Sequence, residues 1–434
     1  MTVVVLLVYF VFLGVILLDK YERSFMALLI GTIFFPCCAL FTESPSISGQ
    51  IVFLYVFLFR AIVFDTIDVK KTVFENPASK FVGFIAVGYV VTTIFNFSAQ
   101  NAYYALRDMI DVYGYLIAAM FAMKKMSWQF VAKKLYWVII FLCVYGLVEA
   151  ATCTNLIYKY INLSFPGYDG WYNLNGSVCA SEGWRMRTIV TTKHPTALGT
   201  LLTVLFLFYA LSAKEKIISF YKTTLILGLL LANVYMSGSR TALFCIGVAL
   251  LYGYMKNRGI LMKFLCVGLL IFSSTYIVAY TVEHFLDNKE GSSIVLRMNQ
   301  LLFSIDKIKE SPIWGNGSNY TAHQIKDEGV RFDDDDEFIG GLESVLFVYL
   351  IDRGFLGLLT FYAFFIFLFL RLRKSQRFRK ESCPETMVIG IVLFLSMSGL
   401  IGNNTAYCML FLGILIRDEC NSVNSDQENN LQKI

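Results

Sequence analysis

Residues Thr223–Met255 read TTLILGLLLANVYMSGSRTALFCIGVALLYGYM. Two apolar runs, 223–237 and 241–255, meet at the polar seam Ser237-Gly238-Ser239-Arg240, which carries the one charged residue of the stretch. Lipid disfavours an arginine strongly, so its place between two such runs calls for an account. Similar runs of about 20 apolar residues recur along the whole chain, the length needed to cross a bilayer as a helix. The 434 residues are 57% hydrophobic, 16% aromatic and only 16% charged. Soluble domains carry about a quarter charged residues, which excludes that class here. The alternating pattern of a membrane barrel is missing, leaving helices as the spanning element. The expectation is an all-α polytopic membrane protein.

Spans are expected near 3–18, 24–41, 47–64, 81–97, 103–123, 135–152, 195–213, 223–237, 241–255, 264–282, 343–370, 386–402 and 404–417, roughly 12–13 transmembrane helices at bilayer length. The apolar start reads as a first span and not as a removed signal segment. Basic connections alternate with connections poor in basic residues: Lys20 and Arg23; Lys70, Lys71 and Lys80; Lys124, Lys125, Lys133 and Lys134; Lys214, Lys216 and Lys222; Lys256, Arg258 and Lys263; and the run from Arg371 to Lys380. All of these fall in the cytoplasm if the N-terminus is outside and the C-terminus inside. The net charge of +5 therefore reports topology and does not call for a nucleic-acid partner. Residues 1–418 form a single transmembrane domain on this basis, with two long extracytoplasmic loops at about 153–194 and 283–342. The polar stretch 419–434 is expected to be a disordered cytoplasmic tail.

Within the second loop, SSIVLRMNQLLFSIDKIKESP spaces Ile294, Leu301, Ile305 and Ile308 as on one helix face, suited to lying along a membrane surface. Most of the ten cysteines sit inside apolar runs, whereas Cys153 and Cys179 share the first long loop, where they can pair. Neither a CxxC pair nor a histidine cluster is present, so no metal site is expected.

Several polar residues stand out against this background. Arg240 falls on the outer side, where arginine is uncommon; it is either a snorkelling anchor or an anion-binding group whose planar fork suits phosphate oxygens. Arg185, Arg187, Lys193 and His194 cluster just before another span on that same side, and two such clusters fit one anionic ligand at the outer leaflet. His194 before Pro195 also suits a plain helix start. Glu343 opens a span, where the helix dipole alone favours an acid, but it is also placed to act as a general base. The acidic run Asp333 to Glu337 lacks the pattern of a calcium loop and reads as a solvated loop; its nearness to Glu343 leaves open acceptor binding, with Asp336 as the candidate, or a loosely held divalent ion. His323 is isolated and reads as a surface residue. Inside the bilayer, Arg60, Arg107, Asp108 and Asp111 are either mutually paired or part of a proton-coupled path, and Arg107 and Asp111 have the spacing to satisfy each other.

Four segments together resemble the O-antigen polymerase and O-antigen ligase superfamily of bacterial polysaccharide glycosyltransferases: RTIVTTKHPTALGTLL, SGSRTAL, LRMNQLLFSIDKIKESPIWGNGSN and ESVLFVYLIDRGFLGLLTF, in the family's order over roughly 185–361. The resemblance implies a GT-C-like enzyme of the bacterial cytoplasmic (inner) membrane that acts on undecaprenyl-diphosphate-linked sugars at the outer face. It assigns the grip on the donor diphosphate to Arg187 (or Arg185), Arg240 and Arg297. Ligases of the family have a histidine where this chain has Glu343, counting back from Gly354, which favours a polymerase of O-antigen, capsular or exopolysaccharide repeat units. The catalytic residues expected are Glu343, Arg240 and Arg187, with Arg185, His194, Arg297 and Asp336 binding substrate. The activated donor supplies the energy, so no cofactor is expected, and neither a P-loop nor a dinucleotide fingerprint is present. Partners implied are the lipid-linked glycan donor and acceptor, membrane lipid, a chain-length regulator and a flippase. The alternatives are a ligase moving glycan onto a lipid A core, and a transporter or flippase working through Arg107, Asp108 and Asp111.

Overall fold

The computed structural model describes residues 2–35, 39–43, 46–165, 167–168, 187–192, 194–256, 258–259, 293–321, 342, 344–375, 378–379, 381–398 and 405–416. The expected span 264–282, the acidic run, His323, Cys179 and the tail lie outside the described residues. The helices are α1 (Thr2–Leu18), α2 (Tyr21–Phe34), α3 (Gly49–Phe64), α4 (Thr66–Phe74), α5 (Pro77–Phe95), α6 (Ala99–Ala122), α7 (Trp128–Thr152), α8 (Leu156–Leu163), α9 (Pro195–Lys214), α10 (Phe220–Met236), α11 (Arg240–Met255), α12 (Ser293–Glu310), α13 (Val345–Lys374), α14 (Glu385–Ser398) and α15 (Thr405–Ile416). Among the described residues, four helices are long and apolar enough to cross a membrane, or five if the bent pair α3–α4 is one span, and five more are apolar but shorter. The chain is a mostly helical, polytopic membrane protein.

Local sequence explains several helix starts. The hydroxyls of Ser48, Ser98 and Ser127 and the amide oxygen of Asn76 each accept an N–H of the first turn of their helices, a cap contributing about 1 kcal/mol. Several boundaries depart from the spans expected; α5, α6 and α7, for example, begin at Pro77, Ala99 and Trp128, before the expected residues 81, 103 and 135. α2 ends at Phe34 instead of running toward residue 41, because Pro36 follows and Phe35 already holds the extended backbone that a residue before proline's neighbourhood favours. Residues 39–43 instead form β1 (Ala39–Glu43), the middle strand of a small antiparallel sheet with β2 (Ser46–Ser48) and β3 (Gly167–Tyr168). The first long loop is therefore partly structured: it contributes α8 and β3.

The bundle centres on α9, which is buried along almost its whole length and packs against α7, α10, α11 and α14. A second group joins α13 to α5, α12 and α14. At one end the basic connections meet acidic partners: Lys125 Nζ lies 2.8 Å from Asp65, Lys124 Nζ 3.6 Å from Asp68 and Lys256 Nζ 2.5 Å from Glu385. At the other end, the Thr191 hydroxyl donates to Ile33 O (2.7 Å), Asn96 Nδ2 to Gly315 O (2.9 Å) and the Ser344 hydroxyl to Ser396 O (2.6 Å). The connections assigned to a common side by their charge thus contact one another.

Candidate functional site

The seam between α10 and α11 is a helix break built by its own residues. Gly238 takes φ +67, a left-handed backbone that glycine adopts without steric cost. Ser237 is buried, and its hydroxyl donates to Val234 O and accepts from Ser239 N. Ser239 caps α11 by accepting from Ala242 N at 3.4 Å, which makes Arg240 the first residue of that helix, exposed. Across the bundle, Gly199 of α9 leaves room for Ser239: a Cβ there would stand 2.5 Å from the Ser239 hydroxyl.

A second segment, 187–192, is laid against this seam. Thr188 N donates to Met236 O at 3.2 Å. The Arg187 side chain lies along Gly238, whose missing Cβ would sit 3.2 Å from Arg187 Cγ and 3.3 Å from its Nε. Arg187 is exposed, and Gly238 stands two residues before Arg240. The fold thus brings arginines from distant parts of the chain to one seam at the end away from the lysine-rich connections.

Segment 187–192 is held by groups that sequence reasoning passed over. Glu149, fully buried near the end of α7, accepts Ile189 N at 2.9 Å on one carboxylate oxygen and Val190 N at 2.8 Å on the other. Asn155 donates to Val190 O at 2.6 Å. Between these anchors Val190 adopts φ +53, a conformation a β-branched residue holds only when its surroundings force it, at about 1–3 kcal/mol. Glu149 was the legible clue: an acid three residues before the end of an apolar span, buried only if paired.

His194 is the N-cap of α9, its Nδ1 3.2 Å from Thr196 N and 3.1 Å from the Thr196 hydroxyl. That geometry is the helix-start role that Pro195 suggested. Arg297 lies within α12, whose partner is α13. Arg185, Asp336 and Glu343 lie outside the described residues, although Leu342 and Ser344 beside Glu343 are both buried. Cys153 is disulfide-bonded.

The intramembrane charges are paired within the bundle, although Arg353 Nη1 is buried without a hydrogen-bond partner. Arg107 Nε lies 3.2 Å from Asp111, which also accepts the Tyr55 hydroxyl at 2.7 Å. Arg60 donates to the carbonyls of Ile16 and Asp19 and stacks on Tyr21. Asp108 pairs at 2.7 Å with Arg353 of α13, a fully buried side chain whose guanidinium lies 3.4 Å from the centre of the Tyr89 ring. Arg353 precedes a break in α13 at Gly354 (φ +62), where the segment Ser311–Thr321 docks. Phe355 N donates to Pro312 O (2.9 Å), Asn316 N to Ile351 O (2.8 Å) and Gly317 N to Asp352 O (3.0 Å), while Asp352 accepts Thr321 N (2.8 Å). The loop replaces the hydrogen bonds that the broken helix gives up, as a spanning segment requires. These pairings favour a structural account of Arg107, Asp108 and Asp111 over a transport path.

Residues 225–362 match the family model described as O-antigen ligase. The match covers less than half of the chain; it begins in α10 and ends in α13, includes Arg240 and Arg353, and leaves Arg187 outside. It supports the O-antigen ligase and polymerase superfamily. No curated protein shows a significant match to the chain.

Proposed function

We propose that this protein is a polysaccharide polymerase of the bacterial inner membrane, which joins undecaprenyl-diphosphate-linked repeat units into O-antigen, capsular or exopolysaccharide chains. The observation that carries the proposal is the packing of Arg187 on Gly238, at the seam that ends in Arg240. Transfer of a glycan from diphosphate leaves charge on the departing oxygens. Guanidinium groups fixed beforehand stabilise that charge without reorganising, and each forks onto two oxygens at once. In this scheme Arg187 and Arg240 hold the diphosphate, and Arg185 and Arg297 extend the basic surface. A hydroxyl of the acceptor glycan attacks the anomeric carbon, the bond from that carbon to the diphosphate oxygen breaks, and Glu343 takes the hydroxyl proton. His194 acts through the start of α9, and Asp336 contributes to the acceptor side.

A glutamate where the resembling ligases carry histidine supports polymerisation over ligation. The test is glycan analysis of a deletion strain complemented with each variant. Loss of the polymerase leaves side chains of a single repeat, whereas loss of a ligase leaves finished polymer on its lipid carrier. Arg187→Ala and Arg240→Ala are expected to abolish long chains while the protein stays inserted; normal chain length in both would overturn the proposal.

A further inference from the structure

We infer that α4 lies in the plane of the membrane and that its outward face binds anionic phospholipid headgroups. The inference rests on the chain spanning a bilayer and is independent of the reaction proposed above. α3 and α4 are joined at Asp65 and bent by 110°. With α3 filling the expected span 47–64, a helix turned that far from it runs along the membrane surface. The corner is fixed: Asp65 accepts the Tyr21 hydroxyl and pairs with Lys125 at 2.8 Å, while Lys125 Nζ lies 3.9 Å from the centre of the Tyr21 ring.

The two faces of α4 differ sharply. Thr72 is buried, Asp68 and Val69 are half-buried, and α4 packs on α5 and α6. The Ser79 hydroxyl donates to Thr72 O (2.8 Å) and Lys124 Nζ to Asp68 O (2.8 Å). On the opposite face Ile67, Lys70, Lys71 and Phe74 follow the i, i+3, i+4, i+7 spacing of one helical stripe, and all four are exposed. Ile67 is 73% and Phe74 69% accessible, as is Phe64 at the corner. Two large apolar side chains bounded by a lysine on each side form the pattern of an interfacial helix, with the rings among acyl chains and the ammonium groups among headgroups.

Charge selects the anionic class. Asp65 and Asp68 are already matched by Lys125 and Lys124, and at the outer surface Lys70 and Lys71, with Lys80 beyond the helix, outnumber the exposed acid Glu75 at its end. Each lysine held near an anionic surface favours it by roughly fivefold at low salt. The apolar residues account for insertion and the lysines for selection.

The test places the full chain, carrying Phe74→Trp, in nanodiscs of phosphatidylcholine and phosphatidylglycerol with bromine on the acyl chains of one lipid or the other. Subtracting the unsubstituted protein removes the signal of the native tryptophans. The reporter should be quenched, several-fold more strongly when the bromine is on phosphatidylglycerol. Lys70→Gln with Lys71→Gln should bring the two lipids to parity, and Lys70→Arg with Lys71→Arg should keep the preference. An unquenched reporter, as water or a protein partner on this face would give, overturns the inference. So does equal quenching by both lipids in the lysine-containing protein, or a preference that survives the glutamine pair.

Discussion

Replacing Glu149 with glutamine tests how the seam is held. The carboxylate receives two backbone N–H groups, from Ile189 at 2.9 Å and Val190 at 2.8 Å, in a fully buried setting. Glutamine keeps a carbonyl oxygen for one of them and turns an NH2 group toward the other. One hydrogen bond to a charged acceptor is lost, worth about 1.5–3 kcal/mol, and the freed N–H is stranded. A cost of about 3 kcal/mol lies within the 5–15 kcal/mol that stabilises a typical domain, so Glu149→Gln should fold and melt at a lower temperature in detergent. The consequence for activity is separate. Segment 187–192 carries Arg187, and a shift of about 1 Å in a binding group costs on the order of a hundredfold. Long glycan chains from the complemented strain should therefore fall steeply in Glu149→Gln, yet Glu149→Gln with Arg187→Ala should be no worse than Arg187→Ala alone. Wild-type melting and chain length in Glu149→Gln would refute the anchoring role, and additive losses in the double variant would show that Glu149 acts through something other than Arg187.

Gly238→Ala should shorten glycan chains with only modest loss of stability, about 1–2 kcal/mol for a left-handed alanine; its Cβ would press on Arg187 Cγ from 3.2 Å and displace the guanidinium. Chain-length profiles and melting curves measured on the same preparation check it. Asp108→Asn leaves the buried Arg353 charge without its carboxylate; breaking a fully buried pair costs about 3–5 kcal/mol, and the partial exposure of Asp108 puts this one at or below the low end. Membrane yield and melting temperature should drop sharply, and Arg353→Leu added to Asp108→Asn should recover part of the loss.

How much of this was legible in the sequence follows from the range of the forces involved. The spans are local and apolar length marks them, but hydropathy places their starts late: the caps Asn76, Ser98 and Ser127 begin their helices several residues before the apolar runs do, because polar first turns carry no hydropathy signal. Arg107 and Asp111 were readable because four residues separate them on one helix. Their neighbour Asp108 was not, since its partner Arg353 lies 245 residues away and the meeting of α6 with α13 is a tertiary event. The same holds for Glu149 and Val190, joined across 41 residues. The α3–α4 bend was also hidden: residues 47–64 promise a span, but the turn at Asp65 depends on Tyr21 and Lys125 from other helices.

The arginines divide by where they stand in the bundle. Arg60, Arg107 and Arg353 are each taken up by named carbonyls, carboxylates or rings inside the bundle, so an anion would have to displace a protein partner to reach them. Arg187 and Arg240 are exposed, at a break formed by Gly238 and its flanking serines. A buried glutamate and a strained valine, neither of which contributes to spanning the bilayer, set the position of one of the two. Strain of that sort persists where the surrounding structure over-determines a geometry. Here the geometry maintained is the packing of the Arg187 side chain on Gly238, two residues before Arg240, and it is the geometry on which the proposed grip on a diphosphate depends.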